Sequence, residues 1–309
     1  MPFAGGAAVI ARSIAAVYAD APTALGSAVD VADRHGAAEL AFFCDRSTGD
    51  TARRAGEFAL AVSVIDPEGD FTPLAPAPPP RFSPVPADLD RAAARIRAAG
   101  LDVEWEGGVL LGEWLGLEVA RASHADFEVG VGRHDRAANL ELHPDGIPDD
   151  LLARAVEAVR EARRSDAPVS PVNQLAPERW LRAVVRRHPF LVGVERLRSG
   201  PPPSPRPDLR ARSVAPAWAD DGDAPLVIVF SVGVDPDLVP QAADARLQAL
   251  GWPDFPSPRG HVPPLVLAVP EGDDHPLTRR LAALLRHPAQ VTTVPPDWRD
   301  VDGPPGARP

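Results

Sequence analysis

Leu101-Asp102-Val103-Glu104-Trp105-Glu106-Gly107-Gly108-Val109-Leu110-Leu111-Gly112-Glu113-Trp114-Leu115-Gly116-Leu117-Glu118-Val119-Ala120-Arg121-Ala122 reads as strand, turn, strand. Residues 101–106 suit a strand, Gly107-Gly108 is a hairpin turn, and 109–122 continues as one long strand kinked at Gly112 or Gly116. After a polar turn at 123–126, residues 127–133 form a third strand. A helix precedes this run: over 87–99, Leu89, Ala92, Ala93, Ile96 and Ala99 share one face, and Gly100 stops it. A second helix follows over 148–164, with Leu151, Leu152, Ala155, Val156, Val159 and Ala162 on one stripe. The expected centre of the chain, 87–200, is therefore an α-β-β-β-α mixed-sheet core followed by Arg-rich helical sequence.

Outward from that core, residues 1–72 form an N-terminal α/β unit: helix 22–35, buried strand 39–44, helix 51–59 and strand 61–66. The proline-rich run 73–86 is an extended linker that cannot enter a sheet. Beyond the core, 177–188 is a short helix opened by proline, 191–197 a further strand, and 201–224 a second linker. Residues 225–295 alternate strand and helix (226–232, 238–250, 265–269, 276–287, 290–294), a small Rossmann-like βαβαβ layer with parallel strands. The tail 296–309 reads as disordered despite Trp298. The fold class expected is α/β with an α+β middle lobe.

The chain has 309 residues, a net charge of −11, and no lysine, so all 32 basic residues are arginine. That composition suits a GC-rich genome. It excludes Schiff-base chemistry, the P-loop lysine and the kinase strand lysine. The charge is divided: 151–212 carries thirteen Arg against six acids, and 216–309 seven Arg against thirteen. Cys44, the single cysteine, lies in an apolar run and reads as a buried inert thiol. Arg12 interrupts the Ala-rich N-terminus, which does not read as a signal peptide, and no run of 18 apolar residues occurs. The expectation is a soluble cytoplasmic protein with no membrane contact.

The α-β-β-β-α order resembles that of the PD-(D/E)xK nuclease superfamily, and Leu117-Glu118-Val119-Ala120-Arg121 with Phe127-Glu128-Val129-Gly130 is similar to its motif. The resemblance covers roughly residues 87–165. It implies Mg²⁺ or Mn²⁺ held by Glu118 and Glu128 against a scissile phosphate, with His134 as acid or base. Gly130 stands where the family has its lysine, and Arg133 can stabilise charge but not release a proton. Read from the residues alone, Glu118 and Glu128 are solvent-facing members of an antiparallel sheet. The run 112–121 also resembles one in conserved proteins of high-GC actinobacteria, which brings no function with it.

In a strand reaching Arg133, alternation places Glu128, Gly130, Gly132 and His134 on one face. Arg179, Arg182 and Arg186, with Arg187 at the edge, share one side of the helix 177–188 and suit phosphate contacts, or else solvate it. At the strand ends of the C-terminal layer, Asp237 and Asp274 read as helix N-caps, leaving Asp235 and Glu271 as ligand candidates for Mg²⁺ or a ribose hydroxyl. No dinucleotide-binding or P-loop glycine pattern is present. The functional expectation is a non-catalytic or regulatory protein, associated with nucleic acid through its arginine-rich middle. The alternatives are a metal-dependent phosphodiesterase and a protein-protein interaction scaffold.

Overall fold

Small apolar residues at the N-terminus pair as strands in the computed structural model, which describes residues 2–3, 6–68, 71–80, 82–124, 126–168, 170–204, 208–220, 225–252, 254–256 and 261–301. β1 (Pro2–Phe3), β2 (Gly6–Ala11) and β3 (Ile14–Ala19) run antiparallel. Then come α1 (Leu25–Arg34), β4 (Glu39–Phe43), α2 (Gly49–Ala55) and β5 (Ala61–Ile65). β3, β4 and β5 pair in parallel, and the sheet runs in the order β1 to β5. The three N-terminal strands escaped the sequence reading because alanine carries little strand preference. Their signature is Ala8, Ala15, Val17 and Ala19, which are buried as every second residue should be.

The alternation in the middle of the chain gives α3 (Asp90–Ala98), β6 (Asp102–Glu106), β7 (Val109–Trp114), β8 (Leu117–Ala122), β9 (Phe127–Val129), α4 (Gly132–Leu142), α5 (Asp149–Ala162) and α6 (Pro177–Arg187). The long strand expected over 109–122 is a second hairpin, turning at Leu115-Gly116 with positive φ at both residues. The sheet β6-β7-β8-β9 is antiparallel throughout. The strand expected over 127–133 stops at Val129, and α4, absent from the expectation, starts three residues later. Apolar residues of α3, α5 and the sheet close one core around Ile96, Leu117, Val119, Val129 and Val156. Gly116 is required where it stands: a β-carbon there would come within 2.3 Å of the Arg179 backbone, so α6 lies directly against the hairpin turn.

No strand forms over 191–197, where Pro189–Val192 is a 3-10 turn. Short strands follow: β10 (Arg198–Ser199) beside β11 (Ala215–Ala219), the latter inside the stretch read as a linker. Trp298, assigned to a disordered tail, is 1% exposed and packs edge-on against Trp180 at 5.7 Å. Trp298–Asp300 form a 3-10 turn, and 302–309 lie outside the described residues.

The C-terminal layer has the expected order: β12 (Leu226–Phe230), α7 (Leu238–Ala249), β13 (Leu265–Pro270), α8 (Pro276–Ala283) and β14 (Gln290–Val294), with β13 and β14 parallel. It repeats the strand-helix order of β3 to β5. Two compact units result: 1–81 with 218–229 and 233–294, and 82–217 with 230–232 and 295–309. In the first, β3 to β5 and β12 to β14 stay in separate sheets, and α1 and α2 pack against α7 and α8. Charged groups cross that helix layer: Arg53 and Arg54 donate to Asp244 at 2.8 and 3.0 Å, and Arg280 to Asp30 at 2.7 Å. No helix among the described residues is long and apolar enough to cross a membrane.

Candidate functional site

β8 and β9 carry the two carboxylates singled out in the sequence, and α4 brings a cation to both. Glu118 is 5% exposed. Its Oε1 accepts from Arg121 Nε at 2.9 Å and from Arg136 Nη1 at 2.7 Å, and its Oε2 accepts from Arg121 Nη2 at 3.1 Å. Arg136 Nε also lies 3.0 Å from Glu128 Oε2. One guanidinium therefore holds both candidate carboxylates. The hydrogen bond to Glu118 raises the Arg121 pKa above its ordinary value, against the opposing effect of burial.

The position the nuclease resemblance reserves for lysine is closed. A β-carbon on Gly130 would fall 2.8 Å from that of Asp135 and 2.9 Å from the Arg136 amide nitrogen, so the start of α4 needs glycine there. A divalent cation wants several oxygen ligands at about 2.0–2.6 Å. Glu118 and Glu128 instead face a fixed positive charge, which repels a second cation. Among the described residues no group of three or more His, Cys, Asp or Glu is placed to hold a metal. The residues do not fit the Mg²⁺ or Mn²⁺ that the resemblance implies. His134 is exposed on the first turn of α4, where its Nε2 accepts from Arg133 Nε at 3.4 Å. It is not on a strand face with Glu128.

Three of the four arginines of α6 turn inward, and Arg187 is exposed. Arg179 is bonded to Glu106 and Glu113, Arg186 lies 2.5 Å from Asp102 and 3.2 Å from Glu104, and Arg182 lies 3.6 Å from Glu104 and from Glu113. Arg182 also donates to the carbonyls of Gly200 and Pro216. Arg187 stacks over the Trp114 ring at 5.0 Å. Burial works against the charged form of Arg179, but Glu113 and Glu106 outweigh it and raise its pKa. The helical spacing 179, 182, 186 thus meets the strand spacing 102, 104, 106, and the positive stripe expected to face phosphates is neutralised by the sheet. The alternation of acids along β6 was the available signal for this ladder.

These elements wall a cleft of about 900 Å³ in the second unit. Glu106, Glu113, Glu118, Arg121, Arg136 and Arg179 provide its charged lining. Val109, Leu111, Val131, Val172, Leu175 and Leu209 provide the apolar part, and Arg133, His134, Asp135, Asp208 and Arg210 also line it.

Asp235 and Glu271 belong to the other unit. Asp235 Oδ1 accepts from the Asp237 amide at 2.9 Å, closing the turn before α7, and Glu271 is exposed at the start of a 3-10 turn. Asp273, passed over in the sequence, joins the strand ends by accepting from the Gly233 amide at 2.7 Å. Asp237 stands at the N-cap position of α7 as expected, whereas Asp274 does not cap α8. Asp237 makes no capping bond and accepts from Gln241 instead, while Asp274 pairs with Arg279 and His275 caps α8. Burial pushes the Asp237 carboxyl up to about 7, opposed by Arg54 and the Gln241 bond.

Comparison with family models, curated proteins and solved structures finds no match to this chain.

Proposed function

We propose that this is a non-catalytic binding protein whose site is the cleft between the β6–β9 sheet, α4 and α6. The observation that carries the reading is the ion network Arg121–Glu118–Arg136–Glu128, of which Arg121, Glu118 and Arg136 line that cleft. A carboxylate bonded to two guanidinium groups is a poor metal ligand, because that role needs the lone pairs the arginines occupy. A volume of about 900 Å³ lies within the range of small-ligand pockets. Apolar side chains and charged groups, most of the latter held by ion pairs, share its lining. Carboxylates take Arg179, Arg182 and Arg186, and Arg187 lies over the Trp114 ring, so no phosphate contact is assigned to any of the four.

The test pairs two assays. Single- and double-stranded oligonucleotides incubated with the protein and Mg²⁺ or Mn²⁺ should remain intact. A small-molecule library screened by amide chemical shifts should give binders that perturb Leu111, Val131 and Leu175, and Val172→Trp, which fills the cleft, should remove them. Metal-dependent cleavage that disappears in Glu118→Gln/Glu128→Gln would overturn the reading.

A further inference from the structure

The arginines of the cleft divide into two classes. Arg121, Arg136 and Arg179 are each bonded to carboxylates. Arg133 and Arg210 line the same cleft, both exposed, and among the described residues neither guanidinium bonds to a carboxylate. They stand on separate elements, the first turn of α4 and the loop before β11. Among the described residues Arg133 reaches only His134, and Arg210 contributes only its backbone amide, to Asp208 at 2.7 Å. Besides Glu106, Glu113 and Glu118, which pair with arginines, two acids share the lining. Asp208 is engaged by the amides of Arg210 and Ala211, and Asp135 sits in the first turn of α4, where a carboxylate suits the positive end of the helix.

From this we infer that the cleft binds a small amphipathic anion, a phosphate ester or carboxylate on an apolar body, with Arg133 and Arg210 receiving the anionic group. It holds only if the cleft is the binding site proposed above. Guanidinium groups present paired N–H donors that match the oxygens of a carboxylate or phosphate. The first turn of α4 has no side-chain cap, so its backbone N–H groups add to the same positive field. Val109, Leu111, Val131, Val172, Leu175 and Leu209 supply the surface for the apolar body. A small anion is favoured over nucleic acid by count: two unpaired guanidinium groups among the described residues of the cleft are few against the roughly 6–10 phosphate contacts of a typical DNA binder, in a chain of net charge −11.

Phenylbutyl phosphate, phenylbutyrate and phenylbutanol differ in the head group alone and separate the possibilities by calorimetric titration, with amide shifts locating each. Both anions should bind about tenfold more tightly than the alcohol, a difference on the scale of one charge-assisted hydrogen bond. Arg133→Ala/Arg210→Ala should erase that difference and leave the alcohol unchanged; both positions are exposed, so the fold is retained. Whichever anion is preferred tells phosphate from carboxylate. An alcohol that binds as well as the anions, or an anion affinity unchanged in the double variant, would overturn the inference while the cleft reading stood. If none of the three perturbs cleft amides at millimolar concentration, both fail. A single-stranded oligonucleotide that outcompetes phenylbutyl phosphate would replace the small anion with nucleic acid.

Discussion

Arg136 donates through Nη1 to Glu118 at 2.7 Å while its Nε lies 3.0 Å from Glu128, so one side chain of α4 stitches together two strands of the sheet. The cation shared by the two acids is part of the chain. This makes the pair an architectural clamp at one wall of the cleft, and it leaves the unpaired arginines, not the carboxylates, as the groups available to a ligand.

Arg136→Met should be strongly destabilising. Glu118 would stay buried with Arg121 alone, and Glu128 would lose its partner; breaking a buried pair from one side costs about 3–5 kcal/mol. Urea unfolding followed by circular dichroism measures the loss. Arg136→Met/Glu118→Gln should recover part of it by removing the stranded charge. Equal losses in the single and double variants would mean the clamp is a packing contact.

Divalent cations should not stabilise the protein. A bound ligand raises the unfolding midpoint in proportion to the logarithm of its concentration over its Kd. With Glu118 and Glu128 facing Arg136, millimolar Mg²⁺ or Mn²⁺ should leave the midpoint of the wild type and of Glu128→Gln unchanged in a thermal scan. A concentration-dependent rise confined to the wild type would contradict this.

The legible parts of this chain are those whose evidence is local. The stripe of α5, the βαβαβ order after Leu226 and the Gly107-Gly108 turn are written in residues a few positions apart. Leu115-Gly116 was read as part of a strand because a leucine at φ 46° gives no compositional sign of a turn. α4 was hidden by Gly130 and Gly132, which suit a strand end equally well. For the site, Glu118 and Glu128 were found together, as spacing allowed, but their partner Arg136 comes from an unexpected helix. The α6 arginines were placed on one side of a helix correctly. Which surface that side meets is set by Gly116, 63 positions before Arg179 in sequence, and periodicity has no access to it.

The ladder between α6 and the sheet should resist salt. Glu113 is buried with Arg179 and Arg182 as partners, and ions in solution screen such pairs much less than exposed ones. Arg179→Met should cost about 3 kcal/mol or more, and the difference from wild type should be nearly the same at low and high sodium chloride. Urea unfolding at both salt concentrations checks it; a difference that vanishes at high salt would place Arg179 at a hydrated surface.

Asp237 should make stability depend on pH in the direction opposite to that of a salt-bridged carboxylate. Its pKa rises from 3.8 to about 7 on folding, chiefly through burial, with Asp235 adding to the rise and Arg54 and Gln241 opposing it. Between those values the folded chain keeps a proton that the unfolded chain has released. The contribution of Asp237 is therefore fully present below about pH 4 and is lost as pH rises through 7, by about 1.4 kcal/mol for each unit inside the window. Asp237→Asn is neutral at every pH and can still meet Gln241 in a hydrogen bond. Relative to wild type, it should gain stability steadily between pH 4 and 7 and show a constant offset above. Unfolding curves at closely spaced pH values give the difference directly, and a flat difference across that window would place the Asp237 carboxyl in contact with solvent.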